Sequence, residues 1–244
     1  MRRRLTARRG VLSALVGPTL RAMRPAPVAG ALAAALLVVA VPAVLGLDLE
    51  PDDHARLLRF AAVCAATGLA FTFDDPAKPT TLAVPVPSRW PAAIRGAFGL
   101  AAFTAWWAAA VTLTYAGADE LRLPVPGLTL EAVTIAALAL AASAVTCRFS
   151  ARGVGGPIAA PAALGLALAV AVAPTTPPMF VPAIVRGTVW TAVHERWAAL
   201  LALVLAAIVT AVAAPARPTA RRTTASCRHR DSASTGSSGC GSGR

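Results

Sequence analysis

The feature that most limits what this chain can fold into is a series of long apolar runs almost free of charge. Six segments, 28–47, 57–73, 96–116, 132–147, 157–173 and 198–214, approach or exceed the length of a membrane span, which needs about 20 apolar residues and at least about 17. None carries a charge in its central part, although Arg59 stands near the start of the second. The fourth run is the shortest, and it extends back through Leu128 and Leu130 only by including Glu131. Charged residues are 14% of the chain and hydrophobic ones 57%, whereas a soluble domain carries about 25% charge. The expected fold is therefore an all-α membrane protein with about six transmembrane helices.

The basic residues orient those helices. With the N-terminus in the cytoplasm, 18 of the 23 basic residues fall on the inner side. Only Arg56, Arg59, Arg122, Arg186 and Arg196 are left outside. Basic residues are retained in the cytoplasm, so six spans with both termini inside is the expected topology. The domains expected are a basic arm or interfacial helix over 1–27, a six-span membrane domain over 28–214 and a disordered cytoplasmic tail over 215–244. In the arm, Leu5, Leu12, Val16, Leu20 and Met23 recur at helical steps beside arginines across 5–24, as in a helix lying on a membrane surface. The tail is rich in Arg, Ser, Gly and Thr and has almost no large apolar residue to build a core.

The net charge of +12 lies mainly in that arm and tail, flanking the runs. Anionic lipid headgroups are the partner this implies. No basic stripe is interleaved with base-stacking aromatics, so nucleic acid is not expected. Arginine outnumbers lysine 22 to one, and Asn and Gln are absent. That bias fits a GC-rich bacterial genome and the bacterial cytoplasmic membrane. With no amides to join helices, contacts between them must rest on small residues and hydroxyls, such as the stripe Ala162, Gly165 and Ala169.

Two connections stand out. Residues 74–95, on the inner side, begin with Asp74-Asp75 and contain Pro76, Pro79, Pro85 and Pro87. The two aspartates read as a polar helix stop at the membrane exit. The prolines hold the chain extended, after which "SRWPAAIR" can start a short helix, with Ser88 as its cap. Trp90 then sits at headgroup level, and Arg89 and Arg95 face phosphate or a partner. The outer segment 174–197, "PTTPPMFVPAIVRGTVWTAVHERW", is too apolar for a free loop and too broken by proline and Arg186 for a span. Trp190 and Trp197 recur there at helical spacing, around His194. An interfacial or re-entrant helix is expected, its irregular backbone buried by protein.

Catalytic chemistry is not expected. The chain has no GxSxG, HExxH or Walker A motif. Its four cysteines have no zinc-ligand spacing. His54, His194 and His229 fall in three separate places and read as headgroup or solvent residues. Asp52-Asp53 and Asp74-Asp75 lie on opposite sides of the membrane and lack the further acid that a magnesium–diphosphate site wants. No cofactor or metal is expected. The span interiors offer only hydroxyls, so any transport energy should come from elsewhere.

The layout resembles the permease subunits of type-2 ABC exporters. These have an amphipathic N-terminal helix, six spans with both ends inside, a coupling helix between spans two and three, and re-entrant outer helices between spans five and six. The corresponding stretches are 5–24, 74–95 and 174–197. The phrase "DDPAKPTTLAVPVPSRW" also resembles small actinobacterial membrane proteins assigned to ABC systems. The resemblance implies a separate ABC ATPase that docks on a loop containing Asp74, Asp75, Lys78, Arg89, Trp90 and Arg95. It also implies pairing with a second copy or a sister membrane subunit. The proline-rich loop and the short fourth and fifth spans depart from the pattern. A non-transporting membrane scaffold or accessory subunit is the alternative reading.

Overall fold

The computed structural model describes residues 16–75, 89–116, 121–150, 154–172, 174–175, 178–182 and 187–213. Most of these residues are helical, the others are turns and irregular connections, and there is no strand among them. The helices are α1 (Pro25–Leu45), α2 (Pro51–Leu69), α3 (Arg89–Ala116), α4 (Val125–Phe149), α5 (Gly156–Val172) and α6 (Thr188–Ala213). Residues 16–22 are helical ahead of α1. Each apolar run has its helix. Four stretches, Pro25–Leu45, Trp90–Ala116, Val125–Phe149 and Thr188–Thr210, are long and apolar enough to cross a membrane; Gly156–Val172 is apolar but shorter. This is the make-up of a multi-pass membrane protein.

Local chemistry sets the helix ends. Pro25 and Pro51 stand at first-turn positions of α1 and α2, where the missing N–H is not needed. Asp52 and Asp53 occupy the first turn of α2, at the positive end of its dipole. Gly46 stops α1 in the left-handed region at φ 61°, a conformation costly for any residue with a Cβ.

The helices alternate in direction around a central pair, α2 and α4. The start of α1 lies against the end of α2, where a Cβ at Gly68 would come 2.5 Å from Ala31 Cβ. The start of α3 meets the turn after α2 through Gly99 and Thr72. Farther along α3, the Trp107 indole N–H donates to Thr129 Oγ1 near the start of α4 at 3.0 Å. Helices α2, α4 and α6 thus begin at one end of the bundle, and α2 and α4 finish at the other. The buried face of α2 is almost all alanine: Ala55, Ala61, Ala62, Ala65 and Ala66, with Leu58 and Leu69. Small side chains let backbones approach closely where lipid supplies no hydrophobic drive between helices. At the far end Ser143 Oγ donates to Ala70 O at 2.6 Å, satisfying a carbonyl that the α2 terminus leaves open. Leu37, Val44, Phe60, Ile158, Leu168 and Leu203 point outward, as lipid-facing residues do.

Several expectations change. The second helix starts at Pro51 and finishes at Leu69, earlier than the run 57–73, and its charged first half keeps it out of the strongly apolar set. Within that half His54, Ala55 and Leu58 are buried by neighbouring helices, while Arg56 and Phe60 face outward. The fourth helix includes Glu131 and is 25 residues long. Residues 188–197 are no separate interfacial or re-entrant helix but the opening turns of the 26-residue α6. "RWPAAIR" likewise opens the 28-residue α3 and forms no short helix of its own. The packing stripe of α5 is Ala159, Ala163 and Ala167; Ala162, Gly165 and Ala169 face outward. The arm to residue 15, the loop 76–88 with Lys78 and Ser88, Asp119, Arg186 and the tail 215–244 lie outside the described residues.

Candidate functional site

Two constellations of polar side chains are buried in the bundle, one at each end. The first lies about two turns into each of α2, α4 and α6, where the three helices start side by side. Glu131 of α4 is fully buried and receives the whole fork of Arg59 from α2. Arg59 Nε donates to Oε2 at 2.6 Å and Nη2 to Oε1 at 2.9 Å. A bidentate guanidinium–carboxylate pair of this kind is among the strongest polar contacts a protein makes. It accounts for two charges among apolar helices, because each offsets part of the other's desolvation cost.

His194 of α6 completes the cluster. Its Nδ1 lies 2.8 Å from Trp190 O one turn earlier, and a carbonyl can only accept, so Nδ1 carries a proton. Its Nε2 then faces Glu131 Oε1 at 3.4 Å. That is within ion-pair reach but lacks the alignment of a hydrogen bond, so Nε2 is buried without a hydrogen-bond partner. The Trp190 indole stacks on the imidazole, ring centroids 4.0 Å apart. Gly127 makes the approach of α6 possible, since a Cβ there would stand 2.5 Å from both His194 Nε2 and Trp190 Cζ2.

The segment before α6 folds over this cluster. The Phe180 ring lies 5.4 Å from the Arg59 guanidinium carbon and 5.2 Å from the Trp197 ring. The Trp197 N–H donates to Met179 O at 2.9 Å, and Met179 and Val181 are buried. Irregular backbone next to apolar spans is tolerated where protein buries it and finds partners for it. The charges are thus roofed by aromatic and aliphatic side chains.

The second constellation lies at the opposite end, where α2 finishes. Asp74 is buried, and its Oδ1 accepts the amides of Gly155 and Gly156 at the start of α5, each at 2.8 Å. Cys147 Sγ of α4 lies 3.7 Å from the same oxygen. A carboxylate on the free N–H groups of a helix start is favoured by both hydrogen bonding and the helix dipole. Gly156 must lack a Cβ, which would stand 2.8 Å from Asp74 Oδ2 and overlap Phe71. Next to it, Asp75 Oδ2 pairs with Arg95 Nη2 of α3 at 2.8 Å, with the arginine buried.

Several residues singled out in the sequence therefore sit differently from expectation. Asp74 and Asp75 do more than stop a helix: they join the α2 end to α5, α4 and α3. Arg95 is turned into the protein and not toward phosphate. Trp90 is half-buried in the first turn of α3, and Arg89 opens that helix. Trp190, His194 and Trp197 come together, but as packed residues of α6; His194 is neither a headgroup nor a solvent residue. His54 is also buried, its Nδ1 3.3 Å from Glu50 O. The span interiors hold a carboxylate and an imidazole besides hydroxyls. Glu131 and Arg59 were within reach of sequence reasoning as opposite charges at similar depth in helices of the same direction.

Fold and sites together define a class, a helical protein of multi-pass membrane type with charge pairs buried at both ends. Comparison with protein-family models, curated proteins and solved structures finds no match to this chain.

Proposed function

We propose that the chain is a permease-type membrane subunit of an ATP-driven transport system, with ATP hydrolysis on a separate partner. In this reading it crosses the bacterial cytoplasmic membrane six times with both termini inside. The anionic lipid surface holds its basic arm and tail, and the membrane unit is completed by a second copy or a sister subunit.

The observation that carries the reading is how the α2–α3 connection is rooted. A loop that passes a partner's movement into a bundle must be stiff where it joins the helices; otherwise the push is absorbed locally. Asp74 ties the leading shoulder of this loop to α5 and brings it against α4, and the Asp75–Arg95 pair joins it to the trailing helix. Movement of 76–88 would therefore reach four helices at once. Arg89 and Trp90 are the first residues of α3, where the loop enters it, so this basic-aromatic pair of the sequence can serve as the docking contact. Such pairs often cost ~2 kcal/mol or more when lost from an interface.

The continuity of α6 favours the second reading, a scaffold without transport, because the exporter resemblance has separate re-entrant helices at that point. One experiment separates the two. The full chain is purified from its host membrane in mild detergent, as wild type and as Arg89→Glu with Trp90→Ala, at equal membrane yield. The transport reading expects a nucleotide-binding ATPase subunit with the wild type and its loss from the double variant. Wild type that recovers no ATPase overturns transport in favour of the scaffold. Equal recovery by both proteins removes the docking role of this loop.

A further inference from the structure

We propose that His194 and Glu131 form a binding site for one proton, carried on Nε2 and balanced by the Glu131 carboxylate inside the membrane-spanning bundle. The tautomer is set first. Nδ1 donates to Trp190 O at 2.8 Å, so in the neutral ring Nε2 is bare. Nε2 is then buried with no hydrogen-bond partner among the described residues, and a carboxylate oxygen stands 3.4 Å away, off the line of its lone pair but within ion-pair reach. Two electron-rich atoms facing each other in a buried place repel. One proton on Nε2 turns that repulsion into an ion pair. No other atom has to enter.

Three side chains bear on a proton at Nε2. The Trp190 ring at 4.0 Å offers its π-face to an imidazolium. Glu131 is fully buried and supplies a full negative charge. Arg59 of α2 opposes it, being a cation already shared with both Glu131 oxygens. Farther toward the start of α2 stand Asp52, Asp53, His54 and Arg56, with Arg56 paired to Asp53. On α6 itself Glu195 and Arg196 flank His194 and are exposed. The covering residues 178–182 carry no charge, and α3 carries none between Gly96 and Ala116. Loading the site changes the cluster from one anion and one cation to one anion between two cations. A metal ion is a poorer occupant, because Arg59 already holds Glu131 and no group of three or more metal-ligating residues occurs among the described residues.

The test is nitrogen-15 NMR of the full chain in lipid nanodiscs, labelled at histidine, with the His194 signals assigned by their loss in His194→Gln. Spectra are taken across roughly pH 5 to 8, where imidazoles change charge. Wild type is expected to show a neutral His194 protonated at Nδ1 that gains its second proton at Nε2 as pH falls. Glu131→Gln keeps the side-chain shape and an oxygen for Arg59 but removes the negative charge. It is expected to weaken proton binding at His194 about tenfold or more, since opposite charges this close favour the charged form strongly. A neutral ring that carries its proton on Nε2 in wild type overturns the proposal without any variant. A titration unchanged in Glu131→Gln also overturns it. Both readouts are independent of whether an ATPase partner exists.

Discussion

The pair between α2 and α4 can be tested by removing one charge, then both. In Glu131→Met the two guanidinium contacts of 2.6 and 2.9 Å disappear, and Arg59 keeps its charge in a site only 12% exposed. In Arg59→Met the carboxylate, at 0% exposure, loses both donors and keeps only the weakly aligned His194. At an effective dielectric of about 20, unit charges 4 Å apart attract by about 4 kcal/mol, much of it offset by desolvation. Breaking such a pair from one side costs about 3 to 5 kcal/mol, because the remaining charge stays buried. Replacing both sides with apolar groups of similar volume is close to neutral. Each single variant should therefore lose about 3 to 5 kcal/mol, and the double variant about 1 kcal/mol or less. Equilibrium unfolding in mixed micelles, followed by tryptophan emission, measures all four proteins of the cycle. Single losses below about 1 kcal/mol, or losses that add within about 0.5 kcal/mol, would refute the reasoning. The side chains would then not be bonded, or the cluster would be open to water.

Three further outcomes follow from the packing. Gly127→Ala should lower stability by about 1 to 3 kcal/mol by driving α6 from α4; Gly165→Ala, where a Cβ meets nothing within 4 Å, should leave the melting temperature unchanged. Asp74→Ala should cost about 1 to 2 kcal/mol and speed hydrogen exchange at the Gly155 and Gly156 amides, and unchanged exchange there would show that another acceptor holds them. With native cysteines removed, a cysteine at Ala118 should react with an impermeant maleimide in intact cells while one at Ala77 should not, and the reverse result would invert the proposed orientation.

The helices were legible in the sequence because each contains most of an apolar run, and such runs have few alternatives to helix in a membrane. The sites were much less legible, for a physical reason that recurs at each of them. A window of sequence treats every charge as facing lipid, so Glu131 shortens the fourth run on paper and Arg59 stands as a stray charge near the start of the second. In the protein they stand 72 positions apart and neutralise each other. Asp74 reads as a helix stop for the same reason, because its partners, the amides of Gly155 and Gly156, come from beyond α4. The misplaced stripe of α5 is a different failure. That helix is apolar all round, so its sequence does not say which alanines are buried, and only the neighbours choose Ala159, Ala163 and Ala167. What could have been inferred is the pairing itself. Charges carried into a membrane must be cancelled there. Arg59, Glu131 and His194 each lie near the start of a helix of the same direction. The three are therefore at one depth, and the cheapest way to bury any of them is beside the others.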